Sequence, residues 1–298
     1  MIQGLSRRKT VYLILIALLL AVLVLQQFLG RTALPKIPVI EADVSAMTIV
    51  DGERSLELRK NGGEWLIGAE NYPGNADRIE NLTEKILRLQ PLEQVSSSGF
   101  FRPYSLDEEE AIRVTIYSGT EELRSVLIGK AGTTGRQSYI RFPGKNEVIL
   151  VAENLRRDFE LSMGDLREKQ LFTLEPSSVH RLVLARTGED PEGFIRTDGG
   201  WAGDSGEAVD SGLLDEYVGK FSSFRAADFP EDAVDTGELI MHIILETDGG
   251  EISVEILTET EEGSYLARSS ETPYIFTLAA YTGNQLVKSP SDFLDGDQ

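Results

Sequence analysis

Hydrophobic and polar residues follow three different periods along this chain. Residues 11–30, VYLILIALLLAVLVLQQFLG, carry no charged side chain at all. An apolar helix of about 20 residues, rising 1.5 Å per residue, crosses a hydrocarbon core of about 30 Å, so the stretch predicts a transmembrane segment. Beyond it the pattern drops to strand period. MTIV (47–50) and SLELRK (55–60) alternate, Asn61-Gly62-Gly63 marks a turn, and EW follows at 64–65. Ile79, Leu82, Ile86 and Leu89 are then spaced 3, 4 and 3 apart, which predicts a helix with one apolar face. Two hairpins come next, AIRVTIYSG (111–119) with ELRSVLIG (122–129) and SYIRF (138–142) with EVILV (147–151), closed by a short helical stretch over 152–162.

The same order recurs. HRLVLAR (180–186) and GFIRT (193–197) precede Gly199-Gly200 and Trp201. Leu214, Tyr217, Phe221 and Phe224 repeat the 3, 4, 3 spacing. ELIMHIILE (238–246) pairs with EISVEILTE (251–259) through Asp248-Gly249-Gly250, SYLAR (264–268) pairs with PYIFT (273–277), and 278–287 closes the unit. Trp65 and Trp201, the two tryptophans of the chain, fall at corresponding points. The expected fold is therefore α+β, an N-terminal transmembrane helix followed by two tandem repeats of a mostly antiparallel sheet with packed helices. The segments are a cytoplasmic tail (1–10), the span (11–30), a linker (31–45), a first repeat (46–175) and a second (176–298).

Charge gives the topology and excludes one class of partner. Arg7, Arg8 and Lys9 precede the span, which by the positive-inside bias leaves the bulk of the chain outside the cytoplasm. Arg31 interrupts the nearest small-residue cleavage pattern at Ala33, so the span reads as an uncleaved signal anchor. The formal net charge is −20, with 49 Asp and Glu against 29 Lys and Arg, and such a surface repels phosphate backbones. Nucleic acid is not an expected partner. There is no cysteine, hence no disulfide or lipid-modified anchor, and the exported part has to rest on its hydrophobic cores.

Several pieces carry a resemblance: GGEW (62–65), YSLD (104–107), LIGK (127–130), SYIRF, EVILV, and DLREKQLF (165–172). Their order resembles a bacterial family known as domain-of-unknown-function family 4340. The resemblance runs over nearly all of 46–298; in the second repeat YSLD has no counterpart, and the last motif shortens to DFLDGDQ. It implies a single-pass envelope protein, in a family whose genes often stand beside those of ABC-type transporters. It implies no catalytic residues.

Individual motifs point to little chemistry. Gly203-Asp204-Ser205-Gly206 spells the surroundings of a serine-protease nucleophile, but its counterpart in the first repeat is Ala69. A nucleophile also needs a base and an orienting group, and the two histidines, His180 and His242, lie at a strand start and inside a strand. The cluster of small polar residues suits a turn with Asp210 or Ser211 as helix cap. Gly129-Lys130-Ala131-Gly132-Thr133-Thr134-Gly135 lacks the lysine position and the following helix of a phosphate loop. The acidic runs 107–110 and 259–262 read as solvated loop or strand ends, and no Cys or His pattern predicts a metal. The expectation is a non-enzymatic inner-membrane protein without catalytic, cofactor or metal site, an accessory or scaffold of an ABC-type transport or other envelope complex. Alternatives are an exported hydrolase of envelope glycan or peptide, and a glycan- or small-ligand-binding module.

Overall fold

The computed structural model describes residues 12, 15–22, 35–204, 206–230, 237–260 and 263–294. Residues 12 and 15–22 are helical, while the rest of the expected span lies outside the described residues. Among the described residues, no helix is long and apolar enough to cross a membrane. What is described is a mixed α+β chain dominated by antiparallel sheets of nine and seven strands. It divides into two compact units between Met163 and Gly164.

In the first unit, β1 (Ala46–Asp51), β2 (Arg54–Asn61), β3 (Glu64–Ile67) and β4 (Tyr72–Pro73) form a meander. Helix α1 (Ala76–Leu87) follows, then β5 (Pro91–Ser96), β6 (Ile112–Ser118), β7 (Glu121–Ala131), β8 (Ser138–Arg141) and β9 (Val148–Val151). The sheet order is β4-β3-β2-β1-β6-β7-β8-β9-β5. Gly62 and Gly63 take φ of +60° and +96° at the β2–β3 turn, a conformation that side chains with a Cβ resist. Asn75 caps α1 by accepting the Arg78 amide at 2.9 Å, and the helix buries Ile79, Leu82 and Ile86. Leu89 lies beyond the helix end and is still buried. A short α2 (Leu155–Phe159) is tied to α1 by Lys85 and Asp158 at 2.6 Å.

At the boundary a single turn, α3 (Met163–Leu166), leads to β10 (Gln170–Thr173). The second unit continues with β11 (Val179–Arg186), β12 (Glu192–Thr197), β13 (Gly200–Gly203) and α4 (Ser211–Gly219). It then has β14 (Ser223–Arg225), β15 (Met241–Thr247), β16 (Gly250–Glu259), β17 (Tyr265–Ser269), β18 (Thr272–Leu278) and α5 (Ala280–Leu286). Its large sheet runs β13-β12-β11-β15-β16-β17-β18, the same order as β3-β2-β1-β6-β7-β8-β9 in the first unit. The outer strand differs. Where β5 pairs with β9, the described residues of the second unit show a bridge from Asp228 to Thr277 on β18. Its β14 pairs instead with β10, so the segment 164–175, which the pattern groups with the first repeat, is bound into the second unit.

Helix α4 stops at Gly219, short of the expected stripe. Phe221 and Phe224 therefore leave the helix yet remain buried, and Phe224 becomes the middle residue of β14. They join Phe172, Phe194, Tyr217, Phe276 and Phe293 in a core where ring centroids stand 5.0–6.2 Å apart. Tyr217 is the polar member. It donates its hydroxyl to the Leu286 carbonyl at 2.7 Å, and complete burial pushes its phenol well above the ordinary range.

Candidate functional site

A concavity lies where the N-terminal segment meets the first sheet. Residues 35–40 read PKIPVI. Pro35 and Pro38 hold the backbone extended and lack amide donors, so the segment cannot extend the sheet as a regular strand. It crosses the unit as a strap instead. The Ile40 amide donates to the Leu87 carbonyl at 3.2 Å, and Pro38 offers its carbonyl to Arg124.

Arg124 fixes this arrangement from β7. Its Nη1 donates to the carbonyls of Ile86 at 2.7 Å and Leu87 at 3.0 Å, and Nη2 donates to Pro38. The first two acceptors belong to the last turn of α1, whose terminal carbonyls have no partner within the helix and carry its negative dipole end. The side chain is 7 % exposed, and among the described residues no carboxylate stands within ion-pair distance of it. Burial alone lowers its pKa, because desolvation disfavours the guanidinium cation. Among the described residues, its hydrogen-bond partners are all backbone carbonyls.

Under the strap lies an open-sided cavity of about 650 Å³. Arg124 and Ser125 form part of its wall, with Ile37 from the strap and Phe142 and Ile149 from the β8–β9 hairpin. Lys36 and Lys145 line it as well, and so do Glu122 and Glu147. No sequence motif marked this place, because its parts lie up to 114 positions apart, from Pro35 to Ile149. The sequence offers only a linker over 31–45 that contains Pro35 and Pro38.

The sequence candidates for catalysis fall elsewhere. Ser205 lies outside the described residues. Its neighbour Asp204 accepts Arg181 at 2.8 Å, and the same arginine holds Glu246 at 2.7 Å. His180 is exposed and stands 3.8 Å from the other oxygen of Glu246, too far for a hydrogen bond. His242 sits in β15 with Ala185 and Glu255 as its cross-strand neighbours. Asp204 and Glu246 are thus both engaged by Arg181, and Glu255 is engaged by Arg268 at 2.7 Å.

Gly129 lies within β7, and a Cβ there would stand 2.1 Å from the Tyr104 carbonyl oxygen. That glycine serves close packing. In the acidic run, Glu108 bonds Arg141 at 2.7 Å and also contacts Arg113, and these arginines, Arg141 foremost, hold its carboxyl below the usual range. Among the described residues, no group of three or more Asp, Glu or His side chains gathers as metal ligands would. Asp210 caps α4 by accepting the Gly212 and Leu213 amides, while Ser211 accepts the Trp201 amide at 2.8 Å.

Each unit also carries a basic side chain opposite its tryptophan. Lys60 faces Trp65 across β2–β3 and pairs with Glu80 on α1 at 3.0 Å. Arg196 faces Trp201 across β12–β13, stacks 4.4 Å from its ring and pairs with Asp215 on α4 at 2.8 Å. Lys60 holds the Glu80 carboxyl below its ordinary pKa.

No curated protein matches the chain. No solved structure matches it either. The family described as Domain of unknown function (DUF4340) matches residues 65–239, from the first tryptophan through the second and into the approach to β15. That match covers more than half of the chain and crosses both units, and the chain belongs to the DUF4340 family.

Proposed function

We propose that this chain is a single-pass, membrane-anchored envelope protein, its two units outside the cytoplasm, acting as a non-enzymatic accessory or scaffold of a membrane complex. An ABC-type transporter subunit is the partner class that the resemblance implies. The uncharged run 11–30 and the preceding Arg7, Arg8 and Lys9 support the anchor and its orientation. We read the two units as tandem repeats, on the shared strand order and the paired cation–tryptophan–carboxylate arrangements.

The observation that carries the reading is the fixation of Pro35–Ile40 on the first unit by Arg124 and Leu87. Four residues separate Gly30 from Pro35, and an extended chain spans at most about 18 Å over those five residue-to-residue steps. An anchor joined so closely to a pinned strap holds the first unit near the bilayer. Tethering raises the effective concentration of its surface near other membrane proteins, so a weak docking contact suffices. The test is a reporter fused after residue 298 together with a photo-crosslinking side chain at Phe142 in the full chain. The reading requires reporter activity outside the cytoplasm and a crosslink to an integral membrane protein. A cytoplasmic reporter, or crosslinks confined to soluble proteins, would overturn it.

A further inference from the structure

We propose that the cavity under the strap binds the phosphodiester headgroup of an anionic membrane lipid, through Lys36, Lys145 and the free edge of Arg124. This rests on the membrane-anchor reading for its location, since the cavity begins within about 18 Å of chain from the end of the span. The chemistry rests on the side chains. A guanidinium has five N–H donors, and three of those of Arg124 go to carbonyls, leaving Nε–H and one Nη2–H. Arginine matches phosphate oxygens with that fork, and lysines add mobile point charges.

Among the described residues, none of these three cations pairs with a carboxylate. Glu122 and Glu147 share the lining, so the cavity is net positive by one charge in a chain of net −20. Its sign is opposite to that of the molecule, and an anionic bilayer would repel most other faces while drawing this one. Ile37, Phe142 and Ile149 supply apolar wall for the glycerol region, and about 650 Å³ is within the usual range for a small-molecule site. Lys36 and Lys145 are exposed, so replacing them leaves the fold intact.

The experiment uses the full chain in phosphatidylcholine nanodiscs with increasing phosphatidylglycerol, following hydrogen exchange of the Ile37 and Ile40 amides. Protection should rise and saturate with phosphatidylglycerol. In Lys36→Gln/Lys145→Gln it should need about 30-fold more, from the loss of two charge contacts with the lipid. Equal protection in pure phosphatidylcholine, or an unchanged response in the double variant, overturns the site. Soluble glycerophosphate protecting as well as the lipid overturns the membrane as its source. A cytoplasmic reporter after residue 298 would sink the anchor reading, whereas the nanodisc titration reads the lipid site by itself.

Discussion

The indole N–H of Trp201 donates to Asp215 Oδ1 at 2.9 Å, and the same oxygen accepts Arg196 at 2.8 Å. One carboxylate on α4 thereby orients both the tryptophan of β13 and the arginine of β12. The Asp215 side chain is 56 % exposed, so its ion pair in water is worth little. The indole is a different matter, because Trp201 is buried and its donor would lose its acceptor. Asp215→Ala should therefore destabilise the second unit by about 1 kcal/mol, and Asp215→Asn, which keeps an acceptor, by less than half of that. Urea denaturation of the three proteins decides it. Equal losses for Ala and Asn would mean that the charge, not the hydrogen bond, is what matters.

Arg124 invites the opposite prediction. Its partners are three carbonyls that no side chain other than arginine reaches together. Arg124→Gln should release the strap before it unfolds the sheet. The expected signature is faster hydrogen exchange at the Ile40 amide, which bonds the Leu87 carbonyl, with unchanged protection in β6. Global stability should fall by about 1–3 kcal/mol as one buried and two part-buried carbonyls lose their donor. If strap and sheet exchange accelerate together, the strap is part of the cooperative core.

Much of this was legible in the sequence, for a physical reason. Strand alternation, Gly-Gly turns and the 3, 4, 3 stripes reflect burial of one face, and burial is local in sequence. Ile79, Leu82 and Ile86 line the buried face of α1, and the hairpins at 112–131 and 241–259 form as expected. The misreadings arise where tertiary packing sets the ending. Phe221 and Phe224 keep helical spacing, yet α4 stops at Gly219 because Phe224 pairs with Phe172 across β10–β14. The cavity was illegible because strap, β7 and the β8–β9 hairpin meet only in the fold. Arg124 lies in ELRSVLIG, which the pattern gives only as one strand of a hairpin.

The acid limb of stability should carry the mark of Glu108. Arg141, itself only 5 % exposed, bonds it at 2.7 Å and pulls its pKa below the ordinary carboxylate value. A carboxyl whose folded pKa is depressed stabilises above its unfolded pKa and loses that contribution as pH falls through the folded one. Glu108→Gln should thus lower stability at neutral pH and flatten its fall in acid. The Glu108 carboxyl should also titrate below solvent-exposed glutamates when followed by carbon-detected NMR. A titration in the ordinary range would contradict the pairing.

Gly129→Ala separates packing from ligand binding in the Gly129–Gly135 stretch. The added Cβ would meet the Tyr104 carbonyl oxygen at 2.1 Å and the Leu106 side chain at 2.8 Å, and backbone cannot step aside cheaply. A loss of about 3 kcal/mol or more is expected, at the upper end for overpacking. Gly135→Ala meets no atom within 4 Å, though its φ of +68° makes it mildly strained, and should cost about 1 kcal/mol. Thermal unfolding with and without nucleoside triphosphate checks both. A nucleotide-dependent rise in Tm that Gly135→Ala abolishes would restore the phosphate-loop reading.

Asp204, within the stretch that spells a protease nucleophile, and Glu246 on β15 are both held by Arg181, at 2.8 and 2.7 Å. A hydrolytic triad needs a carboxylate on the histidine, orienting its ring and stabilising the imidazolium. Here Glu246 approaches His180 no closer than 3.8 Å, while its other oxygen serves the arginine. His242 lies on a strand between Ala185 and Glu255. Ser205→Ala, His180→Ala and His242→Ala, made separately in the full chain, should therefore each leave the cellular phenotype and the folded amount of protein unchanged. Arg181→Ala should instead destabilise the second unit by up to about 1 kcal/mol, because it releases two carboxylates that are each about a third exposed. Loss of function in a stably folded Ser205→Ala protein would return the exported hydrolase to first place.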